Sequence, residues 1–290
     1  MVGCPLPYTK SVDQSTQSAS GTRVLGETGA APPRAYFRGE TDVRRYELTG
    51  GVYLLAMYVL LALAVTGVIP TWPLFVLIPP LYVRVALTAH ELMHICKASQ
   101  VPLPHRLMMV LETPICLGYR EHRDIHLRHH RAAATERDPE FFQIRGGHLR
   151  ALACAMLSPE WSMVSYLREK GPSRTLVAEA SVRLAVFGLA AWWNPGAFLA
   201  YWVTLRLSIG FSAYMFHHAL HYREGRYGTF RLHLPPLVDR VARLLLGTEA
   251  TMIVREHPAH HRWQQVKARH LPELAIEANA VEPALAAASG

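Results

Sequence analysis

Histidine is grouped in this chain: His90-Glu-Leu-Met-His94, His126-Leu-Arg-His129-His130 and His257-Pro-Ala-His260-His261, with His217, His218 and His221 between the last two. Neutral imidazole is a good ligand for iron, zinc and copper. Side chains three and four positions apart share one face of a helix, so each group can aim its nitrogens at one point. The first three groups hold eight histidines, more than one ion can use. The arithmetic favours two metals.

Helices must present these groups. His90 and His94 are at i and i+4 near the end of an apolar run, and His122, His126, His129 and His130 fall on one helical face. Glu91, Glu121 and Asp124 are placed to accept from imidazole N–H groups, as partners of metal-bound histidines usually do. Pro258 suits the first turn of a helix, which puts His260 and His261 on its next turn. Asp138-Pro139 closes the segment after the second group.

Half of the 290 residues are apolar and 18% are charged, below the roughly 25% of an average soluble protein. The deficit is local. No charged residue occurs between Leu48 and Val83, a run too long for one span of about 20 residues. Its middle, Gly67-Val-Ile-Pro-Thr-Trp-Pro73, is turn chemistry, so two spans joined by a tight hairpin are expected. A second apolar region, Leu176 to Phe216, is broken at Trp192-Trp-Asn-Pro-Gly196 and reads as another hairpin, with Arg206 in its second half. The expected architecture is an all-α membrane protein with four transmembrane helices in two hairpins and a helical cap. Residues 1–35, rich in Ser, Thr, Gly and Pro, are expected to be disordered. A membrane domain over 36–275 and a flexible tail over 276–290 follow. Cys4, Cys96, Cys116 and Cys154 form no CxxC pair, which suggests a reducing compartment without disulfides.

Charge sets the expected topology. The hairpin turns at 68–72 and 192–196 carry no Lys or Arg, whereas 1–50, 88–180 and 217–290 are rich in them. Positive charge stays on the cytoplasmic side, so both termini and the central segment should be cytoplasmic. Every grouped histidine then lies on that side, His90 just past the second span and His217 just past the fourth. Much of the formal net charge of +8 follows from this rule and from contact with lipid headgroups.

With these groups and their context, the chain resembles the membrane fatty acid desaturase superfamily, whose three histidine boxes read HxxxH, HxxHH and HxxHH. The resemblance covers about residues 48 to 275 and includes Asp138-Pro139-Glu140 after the second box, and Val266 and Leu271-Pro272-Glu273-Leu274 after the third. It implies four membrane helices under a cytoplasmic cap that holds two iron ions, with O2 as co-substrate. Electrons would come from a ferredoxin, rubredoxin or cytochrome b5 type donor. It also implies a further histidine after the fourth span. Here we take His218 and His221 as candidate ligands with His90, His94, His126, His129, His130, His257, His260 and His261, and His122 and His217 as supporting residues. The expected substrate is a fatty acyl chain on a lipid, coenzyme A or a carrier protein. Glu91 after the first histidine is similar to alkane hydroxylases, and Pro258 stands where acyl desaturases commonly have Asn. Carotenoid ketolases and hydroxylases share the superfamily, so hydroxylation or other oxygen insertion is the alternative to desaturation.

A slot closed to water would suit an acyl chain. Met93, Leu107, Met108, Met109, Leu111, Trp161, Phe211, Tyr214 and Phe216 could line it. His105, His148, His233 and His270 are isolated and read as surface or structural. Arg84 and Arg206 fit interfacial snorkelling, and Tyr222 to Arg231 fits interface anchoring. A nucleic acid is not an expected partner, because the basic residues follow topology and match no groove-reading motif. A membrane metal transporter would place its ligands near the bilayer midplane, whereas these lie at one end of the spans.

Overall fold

The computed structural model describes residues 32–95, 115–274 and 279–281. His105, Leu107, Met108, Met109, Leu111, Cys4 and Cys96 lie outside the described residues. Within them the chain is mostly helical. Helix α1 (Glu40–Val65) starts where the Gly39 amide donates to Asp42 Oδ2 at 2.9 Å. It turns at Gly67, whose φ of 76° is costly for a residue with a Cβ, and returns as α2 (Trp72–Ile95). Pro79 and Pro80 interrupt the hydrogen-bond ladder of α2. The next described stretch holds α3 (Tyr119–Ala132), α4 (Phe141–Ile144), α5 (His148–Met156) and α6 (Ser158–Lys170). Helix α7 (Arg174–Trp193) is capped by Ser173 Oγ, which accepts from Leu176 N at 3.0 Å. Helix α8 (Pro195–Ala213) is capped by Asn194, with proline at its first position.

Helices α1, α2, α7 and α8 form one bundle whose core includes Met57, Leu61, Leu74, Ile78, Phe187 and Leu205. Its outer face is apolar too: Leu55, Val76, Leu184 and Leu189 are more than half exposed. In water such a surface would be a liability; in hydrocarbon it costs nothing. Three helices, α1, α2 and α7, are long and apolar enough to cross a membrane. The expected fourth, α8, is not among them, since its 19 residues include Arg206, which pairs with Glu160 of α6. Helix α7 carries Glu179 and Arg183 within its apolar length. Arg183 is fully buried and donates to the Cys116 carbonyl at 2.6 Å. The two hairpin turns meet at one end of the bundle, where Asn194 Nδ2 donates to the Val65 carbonyl at 3.3 Å.

At the opposite end, a π-helical segment (Tyr214–Ala219) continues α8 into strands β1 (Tyr222–Arg223) and β2 (Arg226–Thr229). Glu224 and Gly225, with φ of 52° and 82°, make the tight turn between them. Strand β3 (Asn279–Val281) pairs antiparallel with β2, so part of the 276–290 tail is held in a sheet. The chain is therefore not purely helical as expected. Helices α9 (Pro236–Leu246), α10 (Thr248–Arg255) and α11 (His257–Arg262) and a 3-10 segment (Ala268–Leu274) complete the cap. At the boundary of the expected N-terminal disordered stretch of 1–35, Arg34–Tyr36 form a 3-10 turn. Phe37 then bridges to Val266, tying the entrance of α1 to the cap.

Candidate metal centre

The last turn of α2, helix α3, the π-helical segment and α11 converge their histidines at this end of the bundle. The nitrogens of His90, His94, His130 and His260 lie within 4.8 Å of one another, as do those of His129, His221 and His261. His126 joins the first group, with Nε2 at 3.1 Å from both His94 Nε2 and His130 Nε2. His257 joins the second, with Nε2 at 3.0 Å from His221 Nε2. A third set, His129, Glu140 and His217, overlaps the second group.

Helical geometry explains the partition. In the second box His126 and His130, four residues apart, serve one group while His129 serves the other. In the third box His257 and His261 serve the second group and His260 crosses to the first. Residues at i and i+4 are offset by about 40° around a helix, while i+3 lies some 60° to the other side of i. An HxxHH box lying between two centres therefore divides two to one. The two centres are adjacent, the His130 and His261 ring centroids being 4.1 Å apart.

Several rings are oriented by fixed acceptors. His90 Nδ1 donates to Glu91 Oε1 (3.0 Å), His129 Nδ1 to Asp138 Oδ2 (2.8 Å) and His221 Nδ1 to the Gly228 carbonyl (2.7 Å). Spending the Nδ1 proton leaves Nε2 a bare lone pair. Asp138 is held by the amides of Ala134 and Glu140, and Glu91 by a buried ion pair with Arg38 and a contact from the Tyr46 hydroxyl. Burial holds His126, His130, His221, His257, His260 and His261 well below the ordinary imidazole value, so they are neutral. Burial acts on His129 as well, but the Asp138 carboxylate outweighs it and raises that ring. Burial pushes Glu140 up to about 7.

Converging bare lone pairs repel unless a cation sits among them. Two nitrogens bound at about 2.1 Å and at right angles lie about 3.0 Å apart, close to the Nε2–Nε2 spacings in both groups. Both nitrogens of His260, and Nε2 of His261, are buried without a hydrogen-bond partner. These orphans and the all-imidazole donor sets fit metal ions.

Other expected residues fall elsewhere. His218 is one step around from His217 and His221 and lies in neither group. Its Nδ1 donates to the Ile144 carbonyl at 2.9 Å, and its Nε2 meets His148 Nδ1 at 3.1 Å. His217 instead places Nε2 at 3.6 Å from Glu140 Oε1. Asp124 supports no histidine; it is half exposed beside Arg128 at 3.4 Å. Glu121 is buried but accepts from Ser173 Oγ at 3.0 Å. His122 belongs to neither metal group and faces a cavity, where burial pushes it down to about 4. Of the isolated histidines, His148 contacts Tyr214 as well as His218, and His270 stacks on Tyr36 and pairs with Glu273.

The cavity, of ≈ 160 Å³, opens onto both groups between α2, α6 and α8. Met93 and Phe216 line it as expected, with Val83, Leu87, Leu117 and Ile209. Trp161 and Phe211 point outward, more than half exposed, and Tyr214 bonds to His148. Ser158, Ser162, Ser212 and Gln143 form a polar wall that apolar patterning did not indicate. The roles of Arg38 and Gly228 were also missed, since each rests on a contact across distant sequence. Glu140 had a signal, the Asp-Pro-Glu context.

The family model described as fatty acid desaturase matches residues 68–287. Neither the curated proteins nor the solved structures compared give a match.

Proposed function

The chain belongs to the fatty acid desaturase family, and from that premise we propose an O2-dependent membrane oxidoreductase with two irons that desaturates a fatty acyl chain. The observation that carries this reading is two adjacent groups of converging imidazoles opening onto one largely apolar cavity. The proposed ligands are His90, His94, His126, His130 and His260 for one iron, and His129, His217, His221, His257 and His261 for the other. The proposed topology keeps α8 as a fourth crossing, shielded by its neighbours, with Arg206 neutralised by Glu160 and both termini cytoplasmic.

Bound there, the irons would supply O2 activation, using two electrons from a separate donor of the ferredoxin, rubredoxin or cytochrome b5 type. The protein supplies placement. Glu91, Asp138 and the Gly228 carbonyl lock three imidazole rings with Nε2 inward. Val83, Leu87, Met93, Ile209 and Phe216 hold an alkyl chain and exclude water from it. Glu140, titrating near neutrality on the cavity wall, can hold a proton at its carboxylate next to His217.

Oxygen insertion is the second reading. It is favoured by the polar wall of Ser158, Ser162, Ser212 and Gln143, which could hydrogen-bond an oxidised product. Mass spectrometry of lipids from cells expressing wild type or His129→Ala tests both. Loss of two hydrogens in wild type alone supports desaturation, and gain of one oxygen supports hydroxylation. Identical lipids in the two strains, with both proteins inserted and the wild type metal-loaded, would sink the proposal.

A further inference from the structure

Helix α9 is divided lengthwise by chemistry. Leu237, Val238, Val241, Leu244 and Leu245 fall within about 120° of one face, Asp239 and Arg243 lie opposite, and Arg240 flanks the apolar face beside Leu244. The apolar face is bare: Leu237 is 73% and Leu244 75% exposed, and no residue of α9 is buried. The polar face is engaged, with Asp239 accepting from Arg243 and from Arg255 of α10. The helix thus turns its charges toward the cap and its leucines away from it.

Its height is fixed by α2. Arg84 donates to the last carbonyls of α9, Leu244 at 2.8 Å and Leu245 at 3.0 Å, and to the Tyr53 hydroxyl of α1 at 3.1 Å. Tyr53 is six residues inward from Glu47, the last charge before the apolar part of α1. At a rise of 1.5 Å per residue this sets the end of α9 about 9 Å below that charge. Amphipathic helices that lie in a bilayer surface sink by about 5–10 Å.

We infer that α9 is an in-plane membrane helix, seated with Leu237, Val241 and Leu244 among the acyl chains of the cytoplasmic leaflet. Arg240, which makes no ion pair among the described residues, reaches the anionic headgroups above it. The seat has a consequence for the metal centre. Gly247 joins α9 directly to α10, and α10 to α11, the bearer of His257, His260 and His261. Lipid contact at α9 therefore holds the third histidine box at its height over α2. This rests on the reading of α1, α2 and α7 as membrane spans.

The test uses the full chain with its four cysteines replaced by serine and a single cysteine introduced at Val241, at Leu55 on α1 or at Arg269 on the cap. Each is labelled with a small fluorophore and reconstituted in vesicles of phosphatidylcholine and phosphatidylglycerol containing lipids brominated at shallow or deep acyl positions. The expected result is strong quenching at 241 by shallow bromines, quenching at 55, about 3 Å deeper by the helical rise, shifted toward the deep ones, and none at 269. Adding Leu237→Glu and Leu244→Glu, both at exposed positions, should cut the quenching at 241 at least several-fold and lower the metal bound per chain. Quenching at 55 without quenching at 241 would overturn the inference and leave the spans intact, pointing to a protein cover over α9. No quenching at either position would remove the spans and this inference together.

Discussion

The Arg38–Glu91 ion pair offers the sharpest test of how the first histidine box is held. Both side chains are fully buried. Glu91 Oε1 accepts from His90 Nδ1, and Oε2 meets Arg38 and the Tyr46 hydroxyl. Arg38 also donates to the Gln264 carbonyl at 2.5 Å, so one guanidinium joins the first box to the segment after the third. Arg38→Met keeps the length of the side chain but leaves the Glu91 carboxylate buried without its counter-charge. Removing one partner of a buried pair costs about 3–5 kcal/mol, mostly through the charge left behind. In a chain of this size each kcal/mol lowers Tm by about 2–4 °C, so a fall on the order of 10 °C is expected. Arg38→Met with Glu91→Gln removes both charges and keeps an acceptor for His90. It should recover more than half of that loss and most of the metal content. The assay is thermal unfolding in detergent at one scan rate, beside metal analysis of the same samples. A double variant as unstable as the sum of the singles, or an Arg38→Met that melts within about 2 °C of wild type, would refute the reasoning.

Other outcomes follow from the same structure. His221→Ala should lose metal while His218→Ala keeps it, because only His221 aims Nε2 into a ligand group; metal analysis of the two purified variants decides, and equal loss would contradict the geometry. Gly210 lies so close to α5 that an added Cβ would sit 3.2 Å from the Met156 Cα and inside its side chain. Gly210→Ala should therefore cost about 1–3 kcal/mol, read as a lower Tm that Met156→Ala partly restores. In metal-free protein the buried histidines stay neutral when their unfolded counterparts, with an ordinary value of 6.5, take up protons. Their folded values are depressed, so stability present above pH 6.5 is lost as pH falls below it, for His122 down to about 4. A Tm of the chelated protein that stays flat from pH 7 to 4.5 would contradict that burial.

What the residues alone determined was chemistry and its location. Grouped imidazoles at helical spacing point to a metal site, and uncharged runs broken by Gly and Pro point to hairpins, because both are local statements about one or two turns of chain. The end-on position of the histidines follows from charge for the same reason. Tertiary structure alone decided which nitrogen serves which centre. His217, His218 and His221 are indistinguishable by type, and only the π-helical turn and the acceptors at Ile144 and Gly228 separate them. Asp124 and Asp138 are both near the second box, yet the turn after α3 brings Asp138 under His129 while Asp124 faces Arg128. The Arg38–Glu91 pair, the polar wall of the cavity and the strand β3 join residues far apart in the chain. Contacts of that kind depend on how the helices pack, which no periodicity encodes.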